Sequence, residues 1–304
     1  MYISNGVYSY CTTASVPNLI RQCSLDDPGI PPELREIPGP PETLWVRGTL
    51  PPLSSPRVAI VGTRKATAEG RAVARELARE LAERSVVVVS GLALGIDAAA
   101  HEGALAGNGV TVAVLGNGVD QIYPPSHGGL ARRILERGGC LCSEYPPGTP
   151  ALPHHFLARN RIVSGLCRGI VIIEAPARSG TLATARHALE QGREVFVLPG
   201  PARHPNFTGS HRLIRDGARL VAGAADILED LGIAEPPAGE AKVPEPANDA
   251  QRKIFDALRA ESGPLSLDAL AEAAGLPGNV ASAEAATLVI AGTLLESGRG
   301  FMLR

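Results

Sequence analysis

Apolar positions divide this chain into a proline-rich lead, a long middle that alternates strand-like and helix-like patterns, and a short helical tail. The pattern is sharpest from Arg57 to Gly95. Val58 to Val61 is a short β-branched run, broken by Gly62 and Thr63. Between Thr67 and Arg84 the apolar positions are Val73, Ala74, Leu77, Ala78 and Leu81, which is helical spacing. Thr67 is placed to cap that helix, but Gly70 stands where a capping box needs a long polar side chain. Val86 to Val89 is apolar throughout, as a strand buried on both faces should be. Strand, helix and parallel strand make a βαβ unit.

The same rhythm continues downstream. Helices are predicted over 96–106, 129–137, within 153–166, over 181–191 and around Leu213-Ile214. Strands are predicted over 110–115, 140–143, 170–173, 195–198 and 219–221. This alternation predicts a doubly wound, mostly parallel α/β domain over residues 57–233. Right-handed crossovers then bring the loops that leave the strands to one rim of the sheet.

The flanks differ. Residues 1–56 hold nine prolines between 28 and 56, which predicts an extended arm with an edge strand at Leu44–Val46. Residues 234–247 are Pro, Ala, Glu and Gly with little else, a linker by composition. Residues 248–304 predict helices at 249–261, 266–274 and 279–291, then two short strands around Gly298-Arg299-Gly300, the pattern of a winged helix. Its third helix has no Lys or Arg, and the unit carries 5 Lys+Arg against 7 Asp+Glu, a net −2. A helix that enters a DNA groove needs cations, so this unit reads as a partner-binding or dimer module.

Charge sharpens the picture. Residues 57–226 carry 20 Lys+Arg against 14 Asp+Glu, or +6, and the rest of the chain carries 9 against 17, or −8. A basic middle suits an anionic ligand. The cysteines are Cys11, Cys23, Cys140, Cys142 and Cys167. Cys140 and Cys142 share one face of a strand, which suits neither a disulfide nor a zinc site, so they read as core in a reducing compartment. No membrane span or secretory signal is evident, and a cytoplasmic location is expected.

The loops lack cofactor signatures. Gly62-Thr63-Arg64-Lys65 is not G-x-G-x-x-G, no acid ends the second strand, and a Walker A loop is absent, so no cofactor is expected. Three loops do fit phosphate: Gly62-Thr63-Arg64, Ser90-Gly91 and Ser179-Gly180-Thr181 each precede a helix. One alone would be an ordinary βα turn; three on one rim with arginines favour an anion site. Arg159-Asn160-Arg161 is a further cluster, equally readable as a solvated turn. Asp97 and His101, four apart on a helix, could pair and hold the 90–95 loop. Glu144 and Glu174 end strands and could anchor Arg161 or Arg64.

These loops resemble, in unbroken order, the DNA-processing protein A family (DprA, also called Smf). The resemblance rests on VAIVGTR (58–64), SGLALGIDAAAH (90–101), VAVLGNGVDQIYP (112–124), SEYPPGT (143–149), RNRIVSGL (159–166), VIIEAPARSGTLATARHALEQGREVFVLPG (171–200) and GSHRLIRDGARLV (209–221). It implies an extended Rossmann-like fold with a carboxyl-terminal winged helix and no catalysis. It also implies a homodimer that binds single-stranded DNA and loads the RecA recombinase in natural transformation; weak binding of double-stranded DNA is left open. The site it implies is Gly62, Thr63, Arg64, Ser90, Gly91, Asn160, Arg161, Ser179, Gly180 and Thr181, to which the basic character of the loop adds Lys65. Tyr123, Tyr145, Phe156 and Phe207 are candidates for stacking on bases. The chain departs from the family at Pro153, where many members are basic; Arg178 or Arg203 could compensate. Leu157 replaces a usual proline, and His211 a usual asparagine. The amino-terminal helical domain of many members looks missing or shortened. Two rivals are a nucleotide phosphoribohydrolase of related fold, against which Thr184 stands where the catalytic glutamate would be, and a winged-helix DNA-binding regulator.

Overall fold

A computed structural model describes residues 19–233, 248–260, 264–290, 293–297 and 300–303. The expected linker, the first 18 residues and Gly298-Arg299 lie outside the described residues. The chain forms two units, residues 1–235 and 236–304.

In the first unit nine strands form one sheet. In chain order they are β1 (Ile20–Ser24), β2 (Thr43–Gly48), β3 (Arg57–Val61), β4 (Val87–Ser90), β5 (Thr111–Val114), β6 (Cys140–Ser143), β7 (Gly169–Ile172), β8 (Glu194–Val197) and β9 (Arg219–Leu220). Their spatial order is β1-β2-β6-β5-β4-β3-β7-β8-β9. From β6 to β9 all neighbours are parallel; β2 pairs antiparallel with β6 and β1 with β2. The strand expected at Leu44–Val46 is therefore present but is not the edge, because Ile20–Ser24 covers it. In residues 19–24 the apolar positions Leu19, Ile20 and Cys23 do not alternate, so nothing in the periodicity announced a strand.

Side chains alternate across the sheet and build a core on each face. Ala59, Val89, Val112, Cys142, Ile170 and Val195 pack with Ile162 and Val163 of α4 (Pro153–Gly165) and Ala185 and Ala188 of α5 (Gly180–Glu190). Val58, Ile60, Val88, Val171 and Phe196 pack with Leu77 and Leu81 of α1 (Ala68–Glu83) and with Ile96 and Ala100 of α2 (Ile96–Ala106). Cys140 and Cys142 are both buried in the first of these cores, as core filler should be, and the described cysteines are free thiols.

This layering positions the site. The sheet grows from β3 toward β4 on one side and from β7 toward β8 on the other. The helix that follows β3 lies on one face and the helix that follows β7 on the other. A crevice must open between the ends of β3 and β7, which is where an open α/β sheet binds ligands.

Helices α3 (Gly128–Glu136), α6 (Thr208–Arg215) and α7 (Ala224–Asp230) complete the first unit. The second unit holds α8 (Asp249–Ala260), α9 (Leu267–Ala274) and α10 (Gly278–Ile290), followed by β10 (Leu294–Ser297) paired antiparallel with β11 (Gly300–Leu303). Ile254, Phe255, Leu258, Leu270, Ala285 and Leu288 form its own core. The one acid of α10, Glu284, accepts from Asn248 Nδ2 at 3.0 Å and from Gln251 Nε2 at 2.8 Å.

Candidate nucleic-acid interface

A cleft of about 360 Å³ opens at the crevice between β3 and β7. It brings together Gly62, Thr63 and Arg64 after β3, Gly91 after β4, Asn160 on α4, and Ser179, Gly180 and Thr181 at the start of α5. Three of the expected residues are not in its lining: Lys65, Ser90 and Arg161. Lys65 is exposed on the same loop as Arg64. Ser90 is fully buried and its hydroxyl donates to Ile60 O at 2.7 Å.

The Arg159-Asn160-Arg161 cluster divides because consecutive helical residues point about 100° apart. Asn160 faces the cleft and donates to Gly180 O at 3.3 Å. Arg161 turns away, forms a two-pronged pair with Glu144 at 2.7 Å on each oxygen, and donates to Gly39 O at 2.7 Å. It fastens the amino-terminal segment to the sheet and has no free face for a phosphate. Arg159 turns inward. It is 4 % exposed, and donates to Gly91 O at 2.8 Å and to Val114 O. Burial lowers its pKa, and the nearby Asp97 carboxylate works against that fall.

Asp97 and His101 do not pair. Asp97, 6 % exposed in the first turn of α2, accepts from Gly91 N at 3.1 Å and Ala93 N at 3.3 Å. It therefore holds the 91–93 loop without His101. Burial raises its pKa, with Arg159 opposing. His101 Nδ1 lies 2.8 Å from Thr111 Oγ1. The Thr111 hydroxyl donates its proton to Val88 O at 2.6 Å, so His101 must donate to it and carries its proton on Nδ1.

Helix ends account for part of the polarity. Thr67 caps α1, accepting from Gly70 N at 2.9 Å. The missing capping-box acid arrives from another strand: Glu174, just after β7, accepts from Thr67 N at 3.2 Å, from the Thr67 hydroxyl, and from Asn206 Nδ2 at 2.7 Å. The positive end of α1 is thus already met by an internal carboxylate, and Glu174 does not anchor Arg64. Ser179 caps α5, accepting from Thr181 N at 3.0 Å, and the start of that helix does line the cleft. The glycines also divide. A Cβ on Gly62 would sit 2.5 Å from Ile96 Cγ1, and one on Gly91 2.3 Å from the Arg159 guanidinium, so both are required by internal packing. A Cβ on Gly180 would come no nearer than 3.8 Å, to Leu157 Cδ2.

An aromatic strip flanks the cations. The Arg64 guanidinium carbon lies 5.2 Å from the centre of the Phe156 ring, and Phe156 lies 5.5 Å from Tyr123, which is exposed. Leu157, at 53 % exposure, continues that surface. Phe207 is buried against His204 and His211 and is unavailable for stacking, while Tyr145 stacks on His155 at 3.9 Å. Of the two arginines that could replace a basic residue at Pro153, Arg178 lines the cleft and Arg203 does not. Among the described residues no group of three or more His, Cys, Asp or Glu could hold a metal, and no helix is long and apolar enough to cross a membrane.

Fold and cleft together define a doubly wound α/β protein with a cationic, partly aromatic cleft at the carboxyl rim of its parallel sheet. A sequence model of the family described as DNA recombination-mediator protein A matches residues 21–232. The chain belongs to this family, DprA/Smf. It is 49% identical over 201 residues to Protein Smf of Escherichia coli K12, covering 66% of this chain and 54% of that one. It is 44% identical over 242 residues to the putative DNA processing protein DprA of Mycobacterium tuberculosis, covering 78% and 62%. The matched stretch therefore spans between half and two thirds of these curated relatives. Among solved structures, DprA of Streptococcus pneumoniae has a TM-score of 0.65 at 41% identity, covering 69% of this chain and 74% of that one. DprA of Helicobacter pylori, whose structure is described by its single-stranded DNA binding mode, has a TM-score of 0.61 at 30% identity, covering 69% and 95%.

Proposed function

We propose that this chain is a single-stranded DNA-binding recombination mediator that performs no reaction of its own. The observation that carries the reading is the cleft, where Arg64 lies over Phe156 beside the capped start of α5. Arg64, Lys65 and Arg178 supply cations for phosphate oxygens. Phe156 and Tyr123 supply faces on which bases of any sequence stack. By family membership, we place it in the cytoplasm as a homodimer that hands incoming DNA to the RecA recombinase in natural transformation.

A phosphoribohydrolase reading fits the cleft poorly. Thr184 is buried there, with its hydroxyl 3.5 Å from Gly180 O, where the acid is needed. The carboxylate that does line the cleft, Asp97, is engaged by two backbone amides. A regulator acting through its tail, taken as a winged helix, meets α10, which carries no Lys or Arg. The test is a salt titration of single- and double-stranded oligonucleotides of several sequences. The expected result is tight, salt-sensitive, sequence-tolerant binding of single strands and weak binding of duplex. Equal affinity for duplex, or release of free base from nucleoside monophosphates, would overturn the reading.

A further inference from the structure

A second cationic cleft, of about 300 Å³, lies at the opposite rim of the same sheet. Three arginines line it: Arg57, Arg168 and Arg193. Each sits at the amino-terminal end of one of three neighbouring parallel strands, β3, β7 and β8. Val58 pairs with Gly169, and Gly169 with Glu194, so the three arginines stand in register one residue earlier. The backbone bears out that register: Arg168 N donates to Arg57 O at 3.0 Å and Glu194 N to Arg168 O at 3.3 Å. Neighbouring strands are about 4.8 Å apart, so the three arginines leave the sheet side by side along one rim.

Such a row is repulsive unless something negative answers it, and the protein answers it only in part. Arg57 donates to Pro51 O at 3.1 Å and Pro52 O at 2.9 Å. Arg193 Nη2 reaches Glu33 O and Gly165 O at 3.4 Å each, offsetting the negative end of α4, while its Nε is buried without a partner. Arg168 is exposed and makes no side-chain hydrogen bond or ion pair among the described residues. The one carboxylate in the lining, Glu33, is exposed and is joined to none of the three by an ion pair among the described residues. Burial works against the charged form of Arg57, and the Glu33 carboxylate relieves only part of a penalty that an anion in the cleft would relieve further. Ser54 and Ser55 add hydroxyl donors at the mouth.

We propose that this amino-terminal rim is a second anion site, built to take a phosphate group between Arg57, Arg168 and Arg193. The phosphate can belong to a nucleic-acid strand that continues beyond the first cleft, or to a small free phosphate compound. Only the first of these sources rests on the function proposed above.

The test uses the full chain as wild type, Arg64→Glu, Arg168→Gln and Arg168→Glu, with melting curves to establish that each is folded. Inorganic phosphate is titrated calorimetrically into all four, and short and long single-stranded oligonucleotides are then bound to each. Phosphate binding should persist in Arg64→Glu and weaken about tenfold or more in both Arg168 variants, the effect of removing one charged hydrogen bond. If long oligonucleotides also weaken while short ones do not, the phosphate belongs to the strand. If DNA binding is unchanged, it belongs to a small compound, and the site stands. No phosphate uptake by the wild type, or uptake by both folded Arg168 variants equal to that of the wild type, would overturn the site whatever happens to DNA binding at the first cleft.

Discussion

At the scale of single residues, Arg64 and Phe156 touch, yet they should be separable by salt. Arg64 would act on phosphate and Phe156 on a base. Arg64→Glu should cost single-stranded DNA affinity roughly tenfold to a hundredfold at low salt, the range of a charged hydrogen bond. It should also flatten the slope of log affinity against log salt by about 0.7 for each phosphate that is no longer neutralised. Phe156→Ala should cost about 1–3 kcal/mol with the slope unchanged. Fluorescence anisotropy across a salt series reads both; equal slopes in the two variants would mean that Arg64 faces no phosphate. His101 makes a different prediction, because burial brings its pKa down to about 3. Below about pH 6.5 the unfolded chain takes up a proton that the folded chain refuses, so stability falls as pH falls through that window. Between pH 7 and 5 the decrease should be about 2 kcal/mol. Denaturant midpoints should show this in the wild type and not in His101→Asn.

At the scale of elements, the start of α1 depends on a carboxylate from elsewhere in the fold. Gly70 leaves room for it: a Cβ there would lie 2.2 Å from Glu174 Oε1. Glu174→Ala should cost about 3 kcal/mol, since it takes the acceptor from the Thr67 amide and the Thr67 hydroxyl and leaves the Asn206 amide only Lys65 O. Gly70→Ala should destabilise the wild type but become neutral or favourable, by up to about 1 kcal/mol of helix propensity, once Glu174 is Ala. A double-mutant cycle by chemical denaturation measures that reversal, and additive effects would refute the coupling. The same interaction marks the limit of what local patterns foretell. The apolar runs and the Thr67 cap were legible because they depend on neighbours three and four residues away. A capping acid 107 residues distant was not. Nor was the division of Arg159, Asn160 and Arg161, since spacing places three adjacent residues on a helix without saying which face meets the cleft. The β1 strand was hidden for a related reason: it is fixed by pairing with β2, and its own apolar positions, Ile20 and Cys23, do not alternate.

At the scale of the whole molecule, the first unit contains the entire cleft and its supports: the sheet, the loops at both rims and the helices on each face. The second unit has a separate core, and the acid on its third helix is engaged within that unit. Its charge balance repels a polyanion rather than attracting one. Removing residues 236–304 should therefore leave single-stranded DNA affinity within about twofold at matched salt, because every cation proposed to meet a phosphate in the first cleft stays in place and removing any one of them would shift the salt slope. The salt slope of the truncated chain is the stricter measure, since it counts phosphates directly. A truncated chain that melts like the intact protein but has a shallower slope would show that the tail holds part of the strand. An unchanged slope leaves the tail free for a protein partner, and pull-down of purified RecA by the intact and truncated chains then asks whether that partner binds there.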